Sequence, residues 1–199
     1  MTQRSMDRER LDCTGTGFAV PTTSGPGKAT VVARFAARIN ALGPRAETAP
    51  VDRARVLETV KTIAAQIDVR DCPGASTGYA RCLLHEDPTG WSLAAIALRP
   101  HQSTPAHDHG GWGGAVTIHG VERDRRYVGD HRSSLHLVGE RDYPVGTGYL
   151  FDPVDVHQPV GADPSGVTVS LHFLVHPEEG GSQHVHEDTA RTDDGSRLA

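Results

Sequence analysis

His107 and His109 stand two residues apart in TPAHDHGGWGG. In an extended segment, residues i and i+2 point to the same face, so both imidazoles can reach one ion while Asp108 points away. A third imidazole, His157 in FDPVDVHQPV, falls on a later strand that an antiparallel sheet can bring alongside. Neutral imidazole is the commonest transition-metal ligand, and 12 of the 199 residues are His, so ligand spacing is the first thing to look for. His184 and His186 repeat the His-x-His spacing, but within a polar tail where nothing fixes their geometry. His85, His101, His119, His131, His136 and His176 show no ligand spacing to another His and are unassigned.

The elements that must position these side chains can be read from the pattern of apolar and turn residues. Val31, Val32, Phe35, Ala36, Ile39 and Leu42 follow helical spacing over Thr30–Leu42, and Gly43-Pro44 closes the segment. A second helix fits Val51–Ile67, with Val56, Leu57, Val60, Ile63 and Ala64 on one face and Asp52 near its positive end. After Pro73-Gly74 the period changes to short runs between turn residues: YARCLLH, WSLAAIALR, GAVTIHGVERDRRYV, SSLHLVGERDY, TGYLF and VTVSLHFLV. Together with 22 Gly and 13 Pro, this predicts an antiparallel sandwich or barrel. Residues 1–28 are expected to form a flexible arm and 178–199 a polar tail, leaving 29–177 as a helical lead-in and one β domain.

Composition excludes several classes of function. A net charge of −5 gives no field to gather phosphates, so neither nucleic acid nor membrane is an expected partner. No apolar run approaches the ~18 residues of a membrane helix, and the polar N-terminus lacks a secretory segment, so a cytoplasmic location is expected. Cys13, Cys72 and Cys82 form no Cys-x-x-Cys pair and are expected to be reduced thiols.

The His-x-His pair followed by Gly120, with a single His on a later strand after a Pro-bearing turn, resembles the two motifs of the cupin superfamily. The resemblance implies a mostly β fold, a double-stranded β-helix (jelly-roll) barrel preceded by two short α-helices, with one metal in its mouth. The usual first motif carries a Glu shortly after its second His. Gly113 and Gly114 stand there instead, which implies a three-His site. Such three-His cupins include the thiol dioxygenases, and further residues resemble cysteine dioxygenase. Tyr79-Ala80-Arg81-Cys82-Leu83 is similar to that family's Y-x-R-N-L stretch, and Ser170-Leu171-His172 matches its S-L-H.

The resemblance covers about Thr30 to Pro177 and assigns roles. His107, His109 and His157 would hold Fe(II), leaving open positions for a small-molecule thiol substrate and O₂. Without a carboxylate ligand the site stays dipositive, so a bound thiolate neutralises charge. Arg81 would grip the substrate carboxylate with its guanidinium fork, beside Tyr79. His172 would act beyond the ligand shell, with Ser170 fixing its tautomer. The family's Tyr, two residues after that His, is replaced by Leu174, and the Cys to which animal enzymes join it is matched to Gly114. The implied reaction is oxidation of cysteine or a cysteine-like acid to a sulfinate. A different oxidised sulfur product, or a metal- or ligand-sensing cupin without turnover, are the alternatives.

Overall fold

The computed structural model describes residues 27–45, 48–69, 79–129, 135–176 and 185–186. Most of the expected arm, Cys13, Cys72, His131, His184 and most of the expected tail lie outside the described residues. Two helices, α1 (Gly27–Leu42) and α2 (Pro50–Ala64), precede ten strands. Helix α1 stops where the Gly43 N–H meets the Ile39 and Asn40 carbonyls at 3.2 and 3.1 Å. Helix α2 starts on Pro50, carries Asp52 in its first turn and Lys61 in its last, and so complements its own dipole.

The strands are β1 (Ala80–Asp87), β2 (Trp91–Leu98), β3 (Ala106–His107), β4 (Gly113–His119), β5 (Val121–Val128), β6 (His136–Pro144), β7 (Gly148–Phe151), β8 (Val156–Gly161), β9 (Thr168–Val175) and β10 (Val185–His186). They form two antiparallel five-stranded sheets, ordered β1-β2-β9-β4-β7 and β10-β3-β8-β5-β6. From β2 to β5 and again from β6 to β10 each strand lies in the opposite sheet to the one before it. That winding is the double-stranded β-helix, or jelly-roll barrel, expected from the sequence.

The run Gly114–Val128, read from the sequence as one stretch, is two strands in different sheets. Gly120, at φ +70°, makes the corner; a Cβ there would lie 3.0 Å from the Val167 carbonyl oxygen. Strand β10 lies within the segment expected as tail and pairs Val185 with His107.

Cross-strand partners share a face, which assigns each side chain of the first sheet to one side. Leu93, Ala95, Leu171, Phe173 and Val116 face outward against Phe35, Ile39, Val56, Val60 and Ile63 of the helices, and with Trp91, Trp112 and Val175 they form the main apolar core. At about 1.5–3 kcal/mol per large buried side chain, this cluster is the chief apolar contribution to stability. Polar pegs fix it: Trp91 Nε1 donates to Asn40 Oδ1 (2.8 Å), and Trp112 Nε1 to the Arg45 carbonyl (2.7 Å).

The inward face carries different chemistry. Its rows in register are Ser92–Leu174–Gly113–Phe151, Leu83–Ala94–His172–Ala115–Tyr149 and Arg81–Ile96–Ser170–Thr117. The main apolar core therefore lies outside the barrel, and the interior mixes polar and aromatic groups with aliphatic ones such as Ile96, Ala115 and Leu174.

Candidate metal centre

His107 ends β3, His109 follows two residues later, and His157 on β8 is the register partner of His107. The three imidazoles offer ring nitrogens that all lie within 4.8 Å of one another. His109 Nε2 is 3.0 Å from His157 Nε2. Two metal–nitrogen bonds of about 2.1 Å at right angles would place their nitrogens about 3.0 Å apart, so the spacing fits adjacent positions on one ion.

Each of two rings is oriented from behind. His107 Nδ1 donates to the Pro105 carbonyl at 2.8 Å, and His157 Nδ1 donates to Asp124 Oδ1 at 2.8 Å. Both contacts leave Nε2 for the centre, the usual outer support of a metal-binding imidazole. His157 is fully buried and Asp124 nearly so.

Asp124 is gripped in turn by Arg126 Nε. The same guanidinium reaches Asp155 Oδ2 (2.8 Å) and the Leu150 carbonyl (3.0 Å). Burial raises the Asp124 pKa, against the pull of the Arg126 charge.

The electrostatics favour neutral imidazoles. Burial pushes the pKa of His107 down, against its bond to Pro105. Burial and then the neighbouring His157 and His107 push His109 far down. For His157 burial, His107 and Arg126 act in the same direction. Neutral rings with bare Nε2 lone pairs are the form that ligates.

Among the described residues no carboxylate joins the three imidazoles, and at Gly113, one of the two positions matched to the usual Glu, there is no room for a side chain. Gly113 is the inward-facing glycine; a Cβ there would lie 2.4 Å from the Phe173 carbonyl oxygen and 2.5 Å from Phe151 Cζ. Phe151 fills that space and stacks on His109, with centroids 4.4 Å apart and planes 20° from parallel.

Gly114, matched from the sequence to the cross-linking Cys, faces outward. A Cβ on it would meet Tyr149 O and the Leu150 and Leu57 side chains. The register partner of Leu174 is Gly113, because alternation along β4 turns the next residue to the other face.

Beyond the imidazoles lies a second buried group. Glu122, on the inner face of β5 and 0% exposed, accepts from the Tyr149 hydroxyl on Oε1 (2.9 Å) and from Ser170 Oγ on Oε2. His172 Nε2 lies 3.0 Å from Ser170 Oγ and 3.4 Å from Glu122 Oε2. The expected Ser170–His172 pair is thus present, and its third member is a carboxylate. Tyr149 supplies a hydroxyl in this interior, whereas the Tyr127 hydroxyl donates to Gln158. Leu174 packs against Ala115, Tyr149 and Phe151. The Thr117 hydroxyl, in register with Ser170, is buried and has no partner among the described residues.

Arg81 is exposed on the inner face of β1, in register through Ile96 with Ser170. It is near enough for its charge to help depress His109. Tyr79 is exposed just before β1. Trp112 is fully buried in the outer core.

The sequence reading missed Glu122, Asp124, Arg126 and Phe151. Glu122, Asp124 and Arg126 alternate along VERDRRYV, but Arg123 and Arg125 between them are also charged. Both faces of β5 therefore read as solvated.

No family model matches the chain, and no curated protein matches it. Among solved structures, it is similar to a conserved Klebsiella pneumoniae protein with a double-stranded β-helix domain: 13% identity, TM-score 0.49, covering 61% of this chain and 96% of that one. It is also similar to an oxalate oxidase in complex with the substrate analogue glycolate, at 14% identity and TM-score 0.47, covering 62% of this chain and 63% of that one. An oxalate decarboxylase from Lactobacillus farciminis, in a formate complex, matches at 13% identity and TM-score 0.38, covering 48% of this chain and 26% of that one.

Proposed function

We propose that this chain is a mononuclear iron enzyme resembling cysteine dioxygenase, which oxidises a small thiol with O₂. The observation that carries this reading is the donor set. Three neutral imidazoles converge with two Nε2 atoms 3.0 Å apart, and Phe151 lies where a side chain on Gly113 would go. His107, His109 and His157 are the proposed ligands of Fe(II), which when bound supplies open positions and activates O₂. With no anionic ligand the centre favours a thiolate.

The chain's own residues would then orient the substrate. Arg81, a cation on the inner face of β1, would pair with a carboxylate entering beside His109, with Tyr79 at its flank. His172, held in place by Ser170, would take up the proton that the thiol loses on binding. Both atoms of O₂ go to sulfur, which loses four electrons, so RSH and O₂ give RSO₂H with no outside reductant. The proposed partners are this thiol and O₂, and the proposed location is the cytoplasm.

One observation favours a second reading, in which the same thiol gives another oxidised sulfur product. Leu174 sets an aliphatic side chain against the cluster of Ala115, Tyr149 and Phe151 where the thiol dioxygenases carry a hydroxyl. The test is oxygen uptake by anaerobically Fe(II)-loaded protein given cysteine, 3-mercaptopropionate or cysteamine, with mass spectrometry of the product. One O₂ per thiol and a product 32 mass units heavier, about two oxygen atoms, are expected. Uptake with a different product establishes the second reading. No uptake with any of the three refutes both and leaves a cupin that binds without turnover.

A further inference from the structure

We propose that Glu122 is the terminal acceptor of a one-way hydrogen-bond chain that holds a proton on His172 Nε2 and leaves Nδ1 as the nitrogen through which that ring exchanges protons. The argument begins with what a carboxylate can do. Ionised, it has only lone pairs, so every group that bonds to it must donate. Glu122 is fully buried and is touched by the Tyr149 hydroxyl, Ser170 Oγ and His172 Nε2. Burial would raise its pKa, but His172 nearby and the hydrogen bonds from His172, Ser170 and Tyr149 outweigh burial and hold it below the usual range.

The direction of the chain follows from proton counting. Ser170 has one hydroxyl hydrogen, and its contact with Glu122 uses it. Ser170 Oγ therefore meets His172 Nε2, 3.0 Å away, as an acceptor, so Nε2 must carry hydrogen. The direct 3.4 Å approach of Nε2 to Glu122 Oε2 demands the same. Nε2 then stays protonated whether the ring is neutral or charged, and any proton gained or lost passes through Nδ1.

Glu122 is thus a positioning residue: it acts on His172 through Ser170. Only the use made of Nδ1 rests on the proposed thiol oxidation; the proton's place does not.

The experiment is a long-range ¹H–¹⁵N correlation spectrum of the metal-free, full-length chain labelled with ¹⁵N-His. His172 is assigned by the loss of its signals in His172→Gln. At pH 7 the neutral ring is expected to carry its proton on Nε2 in at least about tenfold excess, as one hydrogen bond of ordinary strength gives. In Glu122→Gln the amide oxygen still accepts from Tyr149, and the amide N–H₂ donates to Ser170. That reverses the chain, turns the Ser170 hydrogen toward Nε2 and moves the His172 proton to Nδ1. Tyr149→Phe removes the Oε1 donor without altering Ser170 or His172 and should leave the His172 pattern as in wild type.

A bare Nε2 in wild type overturns the proposal, as does an unchanged His172 pattern in Glu122→Gln or a proton moved to Nδ1 in Tyr149→Phe. Wild type and Tyr149→Phe decide it even where Glu122→Gln does not fold. Because no metal or thiol is present, failure of this assignment and failure of the thiol reading are separate results.

Discussion

Replacing Asp124 with Ala removes the acceptor that orients His157, and the structure sets the size of the effect. The His157 Nδ1–Asp124 Oδ1 bond is 2.8 Å long between groups 0% and 2% exposed, so water does not readily replace it. Loss of such an outer partner typically lowers metal affinity 10–100-fold, or about 1.4–2.7 kcal/mol. The deep burial here puts Asp124→Ala toward the upper end. Asp124→Asn keeps an acceptor for Nδ1 but loses the charge. Since charge-assisted bonds are about twice as strong as neutral ones, it should fall near the lower end. Asp155→Asn, on the far and more exposed side of Arg126, serves as the control and should cost no more than about 1 kcal/mol. The assay is competition for Co(II) and, anaerobically, Fe(II) against a chromophoric chelator, with circular dichroism to confirm folding. If folded Asp124→Ala holds either metal within about twofold of wild type, Asp124 does not tune the centre and the account of His157 is wrong.

His107→Ala, His109→Ala and His157→Ala should each lose most bound iron by elemental analysis; full metal content in two of the three would show that the ligands lie elsewhere. Arg81→Ala should keep its iron and weaken apparent affinity for cysteine by about 2 kcal/mol, the low end for a lost charge partner because Arg81 is exposed; equal loss with cysteamine would remove the carboxylate role. Phe173→Ala, buried among Trp91, Phe35 and Trp112, should cost about 3–5 kcal/mol of unfolding free energy while metal per folded chain stays at wild-type level. Metal-free stability should fall as pH drops below the ordinary His value of 6.5. His107, His109 and His157 all titrate lower when folded, so the unfolded chain binds more protons there, giving a slope of up to about 1.4 kcal/mol per pH unit for each ring. A Tm that stays flat from pH 7 to 5 would contradict their burial as neutral groups.

Much of this arrangement could be read from residue spacing. The helices were visible as the 3.6-residue recurrence of Phe35, Ile39, Val56, Val60 and Ile63, because those side chains face one apolar partner. His107, His109 and His157 were visible because an extended His-x-His has only one common face.

Other features depend on which strands become neighbours. Val156–Gly161, with Pro159 inside it, is expected as a strand carrying His157, but its place as β8 between β3 and β5 follows from its neighbours and not from its own residues. Which of Gly113 and Gly114 faces inward depends on one residue of register, which the linear spacing of motifs does not reveal. Glu122 and Asp124 look like surface charges until Ser170, Tyr149, His157 and Arg126 surround them.

That last point bears on why such a barrel can hold this chemistry at all. A buried carboxylate costs several kcal/mol unless it is paired or bonded, and the interior contains two within one strand. They persist because the stabilising apolar contact is made on the outside of the first sheet, where α1 and α2 cover Trp91, Leu93, Leu171 and Phe173. The interior therefore need not pack as an apolar core. Each carboxylate in it is held by several partners: Arg126 and His157 for Asp124, and Tyr149, Ser170 and His172 for Glu122, with the Tyr149 hydroxyl acting on both. Asp124 orients a proposed ligand, and Glu122 orients a ring that no ligand role claims. With one residue between them on β5, both face inward, so a single strand sets the direction of His157 and of His172. A bulge that shifted β5 by one residue would turn both outward together.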